Sequence, residues 1–280
     1  MPTKLFPNSW TQRITALYGD EGRNWLESLP QIIKDCERLW DIKVVGPFSN
    51  LSFNFVAEAQ RKTGEKTVLK LGFPGAELTA EAQALVLFGK SAMVELIATD
   101  VSKGALLLEK LHPGLMLSPV DNNLAVTVAA ELMTKIWIDP PSAHIFPKVT
   151  DWLKGLDTLQ EQIENDILPI PLDLANSAIK LRGELLASKV APKLLHGDLH
   201  HSNILSAERK PWLAIDPKGV IGDPVFEVGA FMQNPHDFLL HHLEAVNLVK
   251  KRIRLFSSIL GFTKDRIWAW CYVQAVLATW

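Results

Sequence analysis

Between two apolar runs the chain reads Leu194-Leu195-His196-Gly197-Asp198-Leu199-His200-His201-Ser202-Asn203-Ile204-Leu205, which places ionisable and amide side chains on a loop between short strands. Thirteen residues after Asn203, a second apolar run, Leu213-Ala214-Ile215, delivers Asp216 into the turn Pro217-Lys218-Gly219. Two carboxylates and one carboxamide presented this way suit phosphoryl transfer. That chemistry asks one carboxylate to orient an attacking hydroxyl and take its proton, while an amide oxygen and a second carboxylate hold magnesium. A distant lysine fixes the nucleotide phosphates.

The spacing can be tested against the kinase catalytic loop, in which His-x-Asp-Leu is followed after three residues by Asn. His196, Asp198, Leu199 and Asn203 meet it. Gly197 stands where that pattern carries arginine, so control through a phosphorylated activation loop is not expected. Upstream, Thr67-Val68-Leu69-Lys70 resembles the strand that delivers the phosphate-pairing lysine. The next helix offers Glu77 and Glu81 one turn apart, and Glu81 is the favoured partner for Lys70. The loop Val45-Gly46-Pro47-Phe48-Ser49-Asn50-Leu51-Ser52 has one glycine where a protein kinase has three, which leaves Ser49, Asn50 and Ser52 as candidate phosphate contacts.

The elements that must hold these residues follow from periodicity. Trp25, Leu26, Leu29, Ile32, Ile33, Cys36, Leu39 and Trp40 recur at helical spacing, with Pro30 restricting the turn, and predict short amphipathic helices between residues 10 and 40. Ile42 to Ser49, Leu51 to Gln60 and Thr67 to Leu71 read as an antiparallel meander, turned at Lys62 to Glu65. A helix over Glu77 to Phe88 precedes strands at Met93 to Ala98 and Ala105 to Leu111. After His112 the chain becomes helical: Val120 to Ile138, Asp151 to Ile167, Leu172 to Val190 and a buried helix over Ile267 to Trp280, with Pro169 and Pro171 as a break.

Composition removes whole classes. A chain of 280 residues, 48% hydrophobic and 21% charged with net charge -2, buries a substantial core and is neither disordered nor a basic nucleic-acid binder. Two cysteines far apart, Cys36 and Cys271, give no disulfide framework or zinc ribbon and suggest a reduced compartment. The first ten residues lack a signal peptide's apolar centre, and Ile267 to Trp280 as helix reaches only about 21 Å, short of a bilayer, so the expected location is cytoplasmic.

The run from His196 to Leu205, then Ile215-Asp216-Pro217-Lys218-Gly219, Ile221-Gly222-Asp223-Pro224, Glu227 and Asn234-Pro235, resembles the aminoglycoside/hydroxyurea antibiotic-resistance kinase family. Trp25, Leu29-Pro30 and Trp40 extend the likeness over nearly the whole chain. The resemblance implies an α+β, bilobal protein-kinase-like fold. Residues 1–111 would form an amino-terminal lobe with a five-stranded antiparallel sheet, and residues 112–280 a helical carboxy-terminal lobe. It implies transfer of the ATP γ-phosphate to a hydroxyl of streptomycin, with Asp198 as catalytic base, Asn203 and Asp216 as Mg2+ ligands, Lys70 on the ATP phosphates, and Glu109 to Leu111 as the hinge that holds adenine. Other acceptors, an amino-sugar, a cyclitol or a small metabolite, stay open, as does a non-catalytic ligand-binding module on the same fold. The sequence carries no sign of oligomeric state.

Several residues have plainer readings. His196 is expected to shape the catalytic loop rather than move protons. His200 and His201 would join a zinc phosphoesterase only with an upstream Asp-x-His and a downstream Gly-Asn-His, and neither string occurs. Asp223 and Glu227, with Asp237, are candidates for a negative wall facing a cationic substrate, in a stretch from His196 to Asp237 that holds six acids against three Lys or Arg. Lys250, Lys251, Arg252 and Arg254 predict a solvated helix face rather than a nucleic-acid patch, since no aromatic ladder accompanies them.

Overall fold

The computed structural model describes residues 6–118, 120–165, 170–188 and 190–278. The ends of two predicted helices, at Ile167 and Trp280, and the Pro169 break lie outside the described residues. The chain divides into two compact units: one holds the chain up to Val86 with Val94–Leu111, the other Leu87–Met93 with the chain from His112 onward.

In the first unit, α1 (Asn8–Trp40) is followed by β1 (Ile42–Pro47), β2 (Phe55–Arg61), β3 (Lys66–Leu71), α2 (Ala76–Phe88), β4 (Leu96–Asp100) and β5 (Ala105–Glu109). The five strands form one antiparallel sheet in the order β1-β2-β3-β5-β4. Pro30 does not interrupt α1. The helix breaks instead at Gly19, whose φ of 55° and ψ of -128° suit only a residue without a Cβ. Trp10, Ile14, Trp25, Leu29, Ile33 and Cys36 line one side of α1 and pack on Phe55, Ala57, Ala59, Leu69, Leu71, Ala105 and Leu107 of the sheet. Because successive strand side chains alternate, Leu69 and Leu71 face α1 while Lys70 points to the opposite face, toward α2.

The second unit contains β6 (Pro113–Met116), α3 (Asn122–Ile136), α4 (Val149–Trp152), α5 (Leu159–Glu164), α6 (Leu172–Ala187), β7 (Lys193–Leu195), β8 (Ile204–Ala207), β9 (Trp212–Ala214), β10 (Val220–Gly222), α7 (Glu227–Met232), α8 (His236–His241), α9 (Ala245–Leu260) and α10 (Lys264–Leu277). The helix expected from Asp151 is in fact α4, a 3-10 turn at Leu153–Asp157 and α5. Arg182 of α6 takes the Leu153 carbonyl at 3.1 Å, a bond that a continuous helix would have used internally. The basic run on α9 is also divided. Lys250, Lys251 and Arg254 are exposed, but Arg252 is buried, because helical phase turns it toward α3 and α7. Its guanidinium donates to Asn122 Oδ1 (2.8 Å) and the Asn234 carbonyl (2.7 Å) and lies 5.3 Å from the Phe231 ring centroid.

Candidate active site

Two small antiparallel sheets build the polar loops of the second unit. β7 pairs with β10, and β8 joins β6 and β9, so the turn between β7 and β8 carries Asp198 and Asn203 while the turn between β9 and β10 carries Asp216. The two loops are sewn together by backbone. Ile215 N–H donates to the Asn203 carbonyl (2.9 Å), and Lys218 and Gly219 N–H donate to the His196 carbonyl (2.8 and 3.1 Å). Asp216 adopts φ 57°, a left-handed conformation that Asp tolerates better than most residues.

His196 is fully buried at the centre of this stitching. Its Nε2 donates to the Ile215 carbonyl (2.8 Å) and its Nδ1 accepts the Asp198 N–H (3.2 Å), which fixes the neutral Nε2–H tautomer. Burial holds its pKa down to about 4. The ring therefore ties the Asp198 turn to the Asp216 turn and carries no proton in exchange.

Asp198 is part-buried beside this junction. Burial raises its carboxyl above the usual range, while His200 and Lys218 pull it back down. Its side chain keeps 39% exposure, so solvent moderates the burial effect. His200 Nε2 stands 3.7 Å from Asp198 Oδ1, and burial lowers the His200 pKa. Asn203 donates its Nδ2 to the Asp198 carbonyl (2.9 Å), which leaves the amide oxygen as its acceptor for a ligand. That oxygen and the Asp216 carboxylate are hard donors suited to Mg2+, a cation that retains waters and binds through one or two protein groups plus phosphates. Among the described residues no group of three His, Cys, Asp or Glu could cage a metal by itself.

Asp223 and Glu227 do not stand as a wall. Glu227 is 1% exposed, and its two oxygens accept the N–H groups of His196 (2.7 Å) and Gly197 (2.9 Å). Burial pushes its pKa up to about 7 against those backbone donors. Asp223 caps Val225 N–H (3.0 Å) and receives Arg266 Nη2 and Trp270 Nε1 (2.6 Å) on Oδ2. Both carboxylates are spent inside the protein. Sequence reasoning missed Glu227 as the clamp of the Asp198 loop, because its partners lie thirty residues upstream.

In the first unit, Lys70 is 3% exposed and its Nζ reaches both oxygens of Glu81 at 2.6 and 2.8 Å, whereas Glu77 is exposed. Ser49, Asn50 and Ser52 lie exposed on the turn between β1 and β2, which is closed by Phe48 N–H on the Val56 carbonyl (3.0 Å). Glu109 ends β5. Its N–H donates to the Glu95 carbonyl (2.9 Å), its side chain accepts the Glu95 N–H (3.1 Å), and Leu111 beyond it is buried.

A lysine–glutamate pair beneath an antiparallel sheet, with an Asp-Asn loop and a following Asp in a helical unit, defines a phosphotransferase of the protein-kinase-like fold. Residues 41–280 match the sequence profile of the aminoglycoside/hydroxyurea antibiotic resistance kinases, and the chain belongs to that family. It is 29% identical over 281 residues to a streptomycin 6-kinase of Streptomyces griseus, covering 98% of this chain and 89% of that one. A hydroxyurea phosphotransferase of Kitasatospora aureofaciens is 30% identical over 268 residues, covering 92% and 74%. Among solved structures, an amicoumacin kinase in complex with AMP-PNP, Ca2+ and its ligand shares the fold at a TM-score of 0.61 and 14% identity, over 93% of this chain and 87% of that one. No helix among the described residues is long and apolar enough to cross a membrane.

Proposed function

We propose that this chain is a cytoplasmic kinase that transfers the γ-phosphoryl group of ATP to the 6-hydroxyl of streptomycin and so confers resistance to it. The observation that carries the reading is the junction made by neutral His196, which ties the loop bearing Asp198 and Asn203 to the turn bearing Asp216. Asp198 orients the acceptor hydroxyl and takes its proton as the oxygen approaches phosphorus. Catalysis then rests on position and charge more than on a strong base. Asn203 Oδ1 and the Asp216 carboxylate are the Mg2+ ligands. Bound Mg2+ supplies charge neutralisation on the phosphate oxygens. Lys70, held by Glu81, fixes the ATP phosphates, with Ser49 and Asn50 as further phosphate contacts and the Glu109 to Leu111 backbone as the adenine-binding segment.

A second acceptor class is favoured by one observation. With Asp223 and Glu227 engaged internally, these two acids are not available to hold guanidinium groups, so the hydroxyl of another amino-sugar, a cyclitol or a small metabolite also suits the site. The test is ADP release with ATP and Mg2+ over a panel of streptomycin, other aminoglycosides, hydroxyurea, choline and sugar alcohols, with Asp198→Asn as control. Streptomycin-dependent release that falls at least about 10³-fold in Asp198→Asn, with ATP affinity retained, is the expected result. Turnover confined to another acceptor moves the substrate. Failure to bind Mg2+ and ATP at all would overturn the enzyme reading in favour of a non-catalytic binding module.

A further inference from the structure

Gly197, immediately before Asp198, has φ +84° and no room for a side chain: a Cβ there would meet the Trp152 ring and Val220 Cγ1 at 3.0 Å and Lys218 Cβ at 3.2 Å. Position 197 therefore cannot carry a cation beside Asp198, and Lys218 Cβ is among the atoms that fill the space a side chain there would need. The Lys218 backbone is pinned, since its N–H and that of Gly219 share the His196 carbonyl. Lys218 follows Asp216 by two residues and is fastened to a residue two before Asp198, so it belongs to both turns at once. Its side chain is exposed and enters no salt bridge among the described residues, although its charge is felt at Asp198. An ammonium that enters no salt bridge among the described residues, on a backbone clamped between the Asp198 and Asp216 turns, suits an anion that arrives only with substrate.

We infer that Lys218 is a further catalytic residue, whose ammonium engages the non-bridging oxygens of the phosphoryl group as it passes to the acceptor. The inference rests on the phosphotransfer reading above. In the step, the acceptor O–P bond forms and the bond from the γ-phosphorus to the β,γ-bridging oxygen breaks. The electron pair leaves on the ADP oxygen, and the acceptor proton goes to Asp198. Lys218 gives and takes no proton. It supplies in cis the positive charge that other phosphoryl-transfer proteins bring in as an arginine finger.

The experiment compares wild type, Lys218→Met and Lys218→Arg by retention of ADP and Mg2+ with and without aluminium fluoride, which mimics the transferring group and requires no knowledge of the acceptor. Wild type is expected to hold ADP at least about 10-fold more tightly with aluminium fluoride, Lys218→Met to lose that gain while binding ADP and Mg2+ normally, and Lys218→Arg to recover it. With an acceptor in hand, kcat of Lys218→Met falls about 10²-fold to 10³-fold, with KM for ATP within about threefold. An aluminium fluoride gain undiminished in Lys218→Met, or a near-normal kcat, overturns the role of Lys218 and leaves the enzyme reading standing. Absence of ADP and Mg2+ binding in the wild type overturns both.

Discussion

The Glu227 carboxylate accepts the His196 N–H at 2.7 Å from the start of α7, the next helix beyond the loop it holds. With Gly197 N–H on its other oxygen, one side chain satisfies two backbone donors beside Asp198. Replacing one oxygen by an amide sets an N–H against an N–H. Glu227→Gln is expected to lose about 1–3 kcal/mol in urea denaturation and to lower kcat more than it raises KM for ATP. A variant as stable and as active as wild type would show that the loop stands without it.

Two kinds of buried group give the stability profile opposite slopes. His196 and His201 are held down to about 4 and about 3 by burial, so the unfolded chain takes up their protons first. Their contribution is full above about pH 6.5 and is lost as pH falls through those values. Glu227, raised to about 7, contributes fully below its ordinary 4.5 and loses that contribution as pH rises through 7. His201 stacks on Phe231 at 4.0 Å and its Nδ1 has no hydrogen-bond partner. His201→Phe keeps the stack and removes the titration. Its melting temperature should match or exceed wild type at pH 7 and fall less steeply between pH 6 and 4; an unchanged acid limb would show that His201 is not what titrates.

Asp223 offers a direct separation of structure from recognition. Its side chain is 9% exposed and receives Arg266 and Trp270, both from α10. Arg266→Ala strands a buried carboxylate and is expected to cost about 3–5 kcal/mol in chemical denaturation. Asp223→Asn should destabilise while KM for the acceptor stays within about threefold. A tenfold rise in that KM at unchanged stability would return Asp223 to the substrate.

What the sequence could carry was local. Asp198 and Asn203 are five residues apart and bonded within one loop, so spacing alone presents them, and the strand alternation that turns Lys70 away from Leu69 and Leu71 is equally visible in the pattern. Glu227 and Asp223 were misplaced as a wall because an acid near a loop reads the same whether its partner is a cation in solution or a backbone N–H thirty residues away. Arg252 was assigned to solvent with its neighbours, since a basic run hides which member the helical phase turns inward. The short helices expected between residues 10 and 40 form α1, broken at Gly19, where the φ and ψ are closed to residues bearing a Cβ.

The family profile begins at residue 41, yet six buried residues of the core against the sheet come from before it: Trp10, Ile14, Trp25, Leu29, Ile33 and Cys36. The boundary of the family profile is thus not a boundary of cooperative folding. A fragment cut where the profile starts would carry every residue assigned a chemical task and would bare Phe55, Leu69, Leu71 and Leu107 to water, a sticky surface on which aggregation would compete with assembly.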